Sequence, residues 1–131
     1  FDDSRSKIIL TKRSDNGRWC IPGGAMESGE SASECCLREV MEETGLSVEP
    51  IKLIGIYTNP DYIIQYNDGN KIQPVGMCFE TKVIGGTLST SPETTDLDFF
   101  NQKDITRLDV VEYDLVLIKD GFTHRDSAFI R

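Results

Sequence analysis

A short apolar run framed by polar residues, Lys7–Lys12 (KIILTK), predicts a strand, and Arg18–Ile21 predicts a second short one. Asn16-Gly17 between them is a hairpin-turn signal. The pattern then changes period. From about Glu30 to Thr44 the residues are mostly good helix formers, with Ala32, Cys36 and Val40 recurring every fourth position as a stripe expected to face the core. Ser28 or Ser31 is placed to cap this helix. Glu30 and Glu34 fall in its first turn, where the helix dipole favours negative charge, and Gly45 is placed to stop it in a left-handed conformation. Beyond it, Ile51–Thr58 reads as a strand. Tyr62–Tyr66 and Lys71–Val83 read as the arms of a hairpin about Asn67–Asn70, the second ending at Gly85-Gly86. Leu97–Phe100 predicts a short strand. Asp109–Lys119 carries Val111, Leu115 and Ile118 at helical spacing, with Gly121 as its stop, and Phe122–Arg131 is expected to be an exposed or loosely packed tail. Strands and helices mix without strict alternation, which gives the α/β class with a mixed sheet between helices.

Composition narrows the partners. The 131 residues suit one domain, and 38% hydrophobic content is that of a globular chain. A formal charge of −8 argues against duplex nucleic acid or an anionic membrane surface, both of which call for basic patches. No apolar run is long enough to span a bilayer, and no signal-peptide pattern opens the chain. The four cysteines, Cys20, Cys35, Cys36 and Cys78, lack zinc spacing and read as reduced thiols, so a cytoplasmic location is expected. His124, the single histidine, reads as a surface or packing residue. The chain opens at Phe1 without Met, so the numbering is expected to begin inside a longer product.

The charge is concentrated. Between Gly24 and Leu46 stand six glutamates, at 27, 30, 34, 39, 42 and 43, against Arg38 alone. At 3.6 residues per turn Glu39 and Glu43 share a face, and Glu42 lies beside them. Like charges at this spacing destabilise a helix by about 0.2–0.5 kcal/mol per pair, so packing does not explain the set. A hard divalent cation such as Mg²⁺ or Mn²⁺ does. The alternative is a solvated acidic face. Ile21-Pro22-Gly23-Gly24 just before cannot be helical; it reads either as a plain turn or as a strand end that brings bare backbone close to a ligand, with the Gly23 carbonyl as a candidate metal donor.

Gly24, Glu30, Arg38, Glu39, Val40, Glu42, Glu43, Gly45 and Leu46 resemble the Nudix box of the MutT-like hydrolases, G-x5-E-x7-R-E-U-x-E-E-x-G-U with U aliphatic, at every fixed position. The resemblance implies an α/β/α sandwich over residues 1–131 as a single domain. It also implies hydrolysis of a nucleoside diphosphate linked to another moiety, assisted by Mg²⁺ or Mn²⁺. It assigns metal binding to the carboxylates of Glu39, Glu42 and Glu43 with the Gly23 carbonyl, and gives Arg38 the role of orienting carboxylates by pairing with Glu30. A later glutamate often completes such a site or serves as its base, and Glu93 is the candidate here, with Glu39 competing for the role of base. Members usually have a strand before the one at Lys7, whereas six residues precede it here.

The substrate side is less defined. Tyr57, Tyr62 and Tyr66 are either platforms for a nucleobase or half-buried strand tyrosines. Arg13 and Arg18 flank the Asn16-Gly17 turn and either meet phosphates or are solvated. Trp19 is expected beneath the acidic helix. Three functions follow: a diphosphohydrolase acting on ADP-ribose, a nucleoside triphosphate or a dinucleoside polyphosphate; a catalytically silent nucleotide-sensing or scaffolding module; or a merely acidic, metal-buffering domain. A homodimer is possible on the resemblance alone.

Overall fold

The computed structural model describes residues 1–131. Strand β1 (Lys7–Arg13) is the centre of an antiparallel sheet of order β2-β1-β7, with β2 at Trp19–Cys20 and β7 at Thr94–Asn101. A second, mixed sheet has the order β6-β3-β8, with β3 at Leu46–Tyr57, β6 at Gly76–Gly86 and β8 at Phe129–Ile130. Helix α1 (Ala32–Thr44) packs on β3, as does α3 (Glu112–Gly121), and the one-turn helix α2 (Gln102–Ile105) follows β7. The α/β arrangement is the expected one, with six of its eight strands divided between two three-stranded sheets and the other two forming a small hairpin.

Ser31, not Ser28, caps α1. Its Oγ accepts the Glu34 N–H, while Glu34 Oε2 accepts the Ser31 N–H at 2.7 Å, so two otherwise orphaned amides are satisfied. Gly45 ends the helix at φ 73°, a left-handed position, and the chain turns at once into β3. The strand thus begins five residues before Ile51. Pro50 hides this start in the sequence, because it lacks the N–H a central strand needs. The structure accommodates it where the register of β3 against β6 shifts, between Pro50 and Lys52. Similarly Lys71–Val83 is not one arm. Pro74 lies in the gap between the small strand β5 (Lys71–Ile72), which pairs with β4 (Ile64–Gln65), and β6, which pairs with β3.

Three apolar clusters carry the fold. Leu10, Ile105, Val110 and Ile118 form the first, and Trp19 joins it with its ring 4.9 Å edge-on from Phe100. Trp19 therefore packs between β7 and α3 rather than beneath α1. Its backbone fixes it there, since Trp19 N–H donates to Asp109 O and Val111 N–H to Trp19 O. Ile54, Tyr57, Cys78 and Leu117 form the second cluster, and Ile21 touches both. Val40, Leu46 and Val48 form the third, beneath α1. On α1 the buried residues are Cys35, Val40 and Thr44; of the expected stripe, Val40 lies in the third cluster, Cys36 packs half-buried against it, and Ala32 is half-buried. In α3 the buried side chains are Leu117, Ile118 and Asp120, whereas Leu115 is exposed, and Gly121 is the last helical residue rather than a left-handed stop.

The expected loose tail is pinned. Phe129 and Ile130 pair in parallel with Gly55 and Ile56. Arg131 donates to both oxygens of Asp120 at 2.9 and 2.8 Å, and the buried Tyr57 hydroxyl donates to the same carboxylate at 3.0 Å. These bonds, Arg131 first, hold the Asp120 carboxyl below its usual range against the opposing effect of burial. The opposite case is Asp114. It accepts the Ile21 N–H at 2.8 Å, yet burial pushes it up to about 6.

These two groups give opposite pH signatures. Asp120 has a lowered folded pKa, so its contribution is complete above the ordinary carboxylate value and is lost as pH falls through the folded one. Asp120→Ala should cost about 3 kcal/mol near neutrality, with the difference narrowing in acid. Asp114 has a raised folded pKa, so its contribution is present in acid and lost as pH rises through about 6. Asp114→Asn should gain about 1 kcal/mol relative to the parent between about pH 4 and pH 8. Urea denaturation from about pH 2 to pH 8 checks both signs, Asp120 below about pH 4 and Asp114 above it.

Candidate active site

The box residues assemble around one guanidinium. Arg38 donates from Nε and Nη2 to the two oxygens of Glu30 at 3.0 and 2.7 Å. From Nη1 it donates to Glu39 Oε1 at 2.7 Å and to Glu42 Oε2 at 3.3 Å, and from Nη2 to Ala25 O at 3.1 Å. A planar fork with five N–H donors suits this role, which a lysine could not fill. The Arg38 bond holds the Glu30 carboxyl down to about 2, and the Glu27 N–H assists. The loop before α1 is thereby tied to the helix.

Gly24 explains its own identity. A Cβ there would lie 2.8 Å from Glu39 Oε2 and 2.6 Å from its Cδ, so the backbone passes directly over the carboxylate. Gly23 N–H donates to Glu43 Oε2 at 3.2 Å. Glu43 is half-buried, and desolvation pushes it up to about 7. The charges of Glu39 and Glu93 push the same way, while the Gly23 N–H and Arg13 oppose them. Glu93 stands at the start of β7. Its carbonyl accepts the Ser14 N–H at 2.9 Å, and the next residue, Thr94, donates its hydroxyl to the Glu43 carbonyl at 3.2 Å. Strand β7 is thus fastened to the end of α1, and Glu93 is brought to the acidic face from fifty residues away in sequence.

The remaining candidates separate. Arg13 lies within electrostatic reach of Glu43, half-exposed, and donates to both oxygens of Asp15 at 2.8 and 2.6 Å. Arg18 turns elsewhere, donating to Asp109, to both oxygens of Glu112 and to Val110 O at 2.8–3.0 Å. Tyr62 stacks on Tyr113 with centroids 5.0 Å apart and planes at 23°. Tyr66 is exposed, and Tyr57 is buried on Asp120. Sequence reasoning overlooked Tyr113, Asp114 and Thr94. Tyr113 and Asp114 sit on the first turn of α3, where Asp114 reads as a dipole-favoured surface charge, and nothing local marks its bond to Ile21.

As donors, the set fits a hard cation. Glu39 Oε2, Glu43 Oε1 and the Gly23 carbonyl accept no hydrogen bond within the protein, and all are oxygen ligands. In their present rotamers no three acidic, cysteine or histidine side chains close on a common point, because Arg38 draws the carboxylates of Glu39 and Glu42 toward itself. Closing them requires side-chain rotation at Glu39, Glu42 and Glu43, with no change of backbone called for by their place on one helix face.

Comparison with known proteins agrees with this geometry. The NUDIX domain model matches residues 1–120. The chain is 33% identical over 106 residues to an ADP-ribose pyrophosphatase of Methanocaldococcus jannaschii, covering 79% of this chain and 59% of that protein. It is 43% identical over 56 residues to a putative 8-oxo-dGTP diphosphatase of Bacillus subtilis, covering 43% of this chain and 38% of that one. The crystal structure of the MutT protein of Bacillus halodurans superposes with a TM-score of 0.71 at 28% identity, covering 99% of this chain and 81% of that one. The chain thus spans 59% or less of the length of these two curated relatives. With the box geometry and a domain match over nearly all of its residues, the chain belongs to the Nudix family.

Proposed function

We propose that the chain is a metal-dependent diphosphohydrolase that cleaves a phosphoanhydride bond in a nucleoside diphosphate linked to another moiety, with ADP-ribose and nucleoside triphosphates as the leading substrates. The observation that carries this reading is the division of labour at α1. Arg38 takes one oxygen each from Glu39 and Glu42, while Glu39 Oε2, Glu43 Oε1 and the Gly23 carbonyl remain free beside the glycine turn.

Glu39, Glu42, Glu43 and the Gly23 carbonyl are the residues that would hold Mg²⁺ or Mn²⁺. When bound, the cation supplies charge neutralisation for the diphosphate and a more acidic water. The protein's own work is then positioning, which is most of what phosphoryl-type transfer asks of it. Arg38 is a positioning residue that sets the Glu39 and Glu42 side chains. Glu93 is the better candidate for general base. Its carboxylate accepts no hydrogen bond from the protein, whereas Glu39 is committed to Arg38 through one oxygen and crowded by Gly24. Arg13 is the better candidate for meeting phosphates, since Arg18 is spent on Asp109, Glu112 and Val110. Tyr62 offers an aromatic face on the substrate side, supported from behind by Tyr113.

A panel of ADP-ribose, nucleoside triphosphates and dinucleoside polyphosphates, incubated with Mg²⁺ and resolved by chromatography, tests the reading. Cleavage by the parent chain should fall by about 10²–10⁴ in kcat for Glu93→Gln with KM little changed. Glu43→Gln should abolish turnover. Binding of ADP-ribose without cleavage by either the parent or Glu43→Gln would establish the sensing module instead, and equal cleavage by both would remove Glu43 from the site.

A further inference from the structure

At the opposite end of β7 lies an open hollow of about 770 Å³. Glu93 and Asn101 bracket the strand, which at the usual rise places the hollow about 25 Å from the acidic face. Arg5, Lys103 and His124 line it, together with the side chains of Asn101, Gln102 and Thr106. In a chain with 22 acidic residues, no carboxylate is among the lining residues.

Several of its donors are unspent. Arg5 Nη2 pairs with Glu80 Oε1 at 2.6 Å, and its Nε and Nη1 have no partner in the protein. Lys103 makes no ion pair. The Asn101 amide oxygen caps α2 through the Asp104 N–H, which leaves its NH₂ group free, and the Gln102 side chain is unpaired. Arg5 Nη2 also faces His124 Nδ1 at 3.3 Å. A guanidinium only donates, so Nδ1 accepts and Nε2 carries the proton outward from that contact.

The backbone gives an independent indication. Arg5 at φ 58° and His124 at φ 51° are the only non-glycine residues in the left-handed region, and they touch each other across this hollow. Such strain in ordinary residues persists where the surroundings over-determine it, and it gathers at ligand sites. Behind them, Glu80 is 4% exposed, and its second oxygen has only Lys52 at 3.5 Å, with no hydrogen bond. The buried carboxylate therefore anchors Arg5 by one nitrogen and leaves the rest of the fork, half-exposed, toward solvent.

We propose that this hollow is a binding site for a phosphate group, separate from the acidic face and independent of the hydrolytic reading. A tetrahedral dianion matches a donor-rich lining free of carboxylates, in which Arg5 offers a fork, Lys103 a point charge and His124, Asn101 and Gln102 N–H groups. The phosphate is either free or terminal on a nucleoside monophosphate.

His124 is the only histidine, so its ring resonances report on the hollow without assignment. The test is a titration of the full chain with inorganic phosphate and, separately, AMP. Each is run at fixed pH and ionic strength with EDTA present, and the ring is followed by NMR. Saturable shifts at about 1 mM ligand or below are expected, weakened tenfold or more in Lys103→Gln. That variant removes an unpaired surface charge, and its backbone spectrum reports that the fold is kept. Tighter saturation with AMP than with phosphate assigns the site to a nucleotide's terminal phosphate, and equal saturation to phosphate itself. Linear, non-saturating shifts with both ligands, or saturation unchanged in Lys103→Gln, overturn the proposal.

Discussion

One guanidinium holds the acidic face together. Six glutamates cannot crowd a turn and a short helix on propensity alone. Arg38 resolves this by binding Glu30, Glu39, Glu42 and the Ala25 carbonyl at once. The interaction is both electrostatic and geometric. It relieves repulsion along α1, and it ties the loop that follows Gly24 to the helix, so Gly23 and Gly24 pass over Glu39 and Glu43. The rest of the site depends on that placement.

The scaffold around it is arranged to keep α1 still. Its start is closed by the Ser31–Glu34 capping box, its end by Gly45, and its underside by Val40 against Leu46 and Val48. Thr94 adds a bond from β7 to the last turn of α1, which brings Glu93 to the same face. Ile21 bridges the two larger clusters, and Asp114 fixes its amide, so the turn approaches the site from a rigid base. The β4–β5 hairpin is mostly exposed, and its hydrogen bonds are internal.

The acidic helix, its stop at Gly45 and the glycine turn were legible in the sequence because each is local. Capping chemistry, helical spacing and missing Cβ atoms act over a few residues. The rest was hidden by long-range pairing. Pro50 and Pro74 read as breaks, yet one sits in a register shift inside β3 and the other marks where β5 gives way to β6. The last residues look polar and loose, because nothing local shows that Asp120 waits for Arg131. Trp19 could not be placed from its neighbours, since its partners come from Phe100 and Val110. Arg18 looked equivalent to Arg13, and only folding showed that acids on the approach to α3 claim it.

The chemistry of the acidic face turns on whether the oxygens left free by Arg38 gather a divalent cation. Titration of the chain with Mn²⁺, read by electron paramagnetic resonance of the free ion, measures that directly. Saturable binding weakened about tenfold or more by Glu43→Gln, and competed by Mg²⁺, is the predicted result. Mn²⁺ binding that is absent, or indifferent to residue 43, would contradict it.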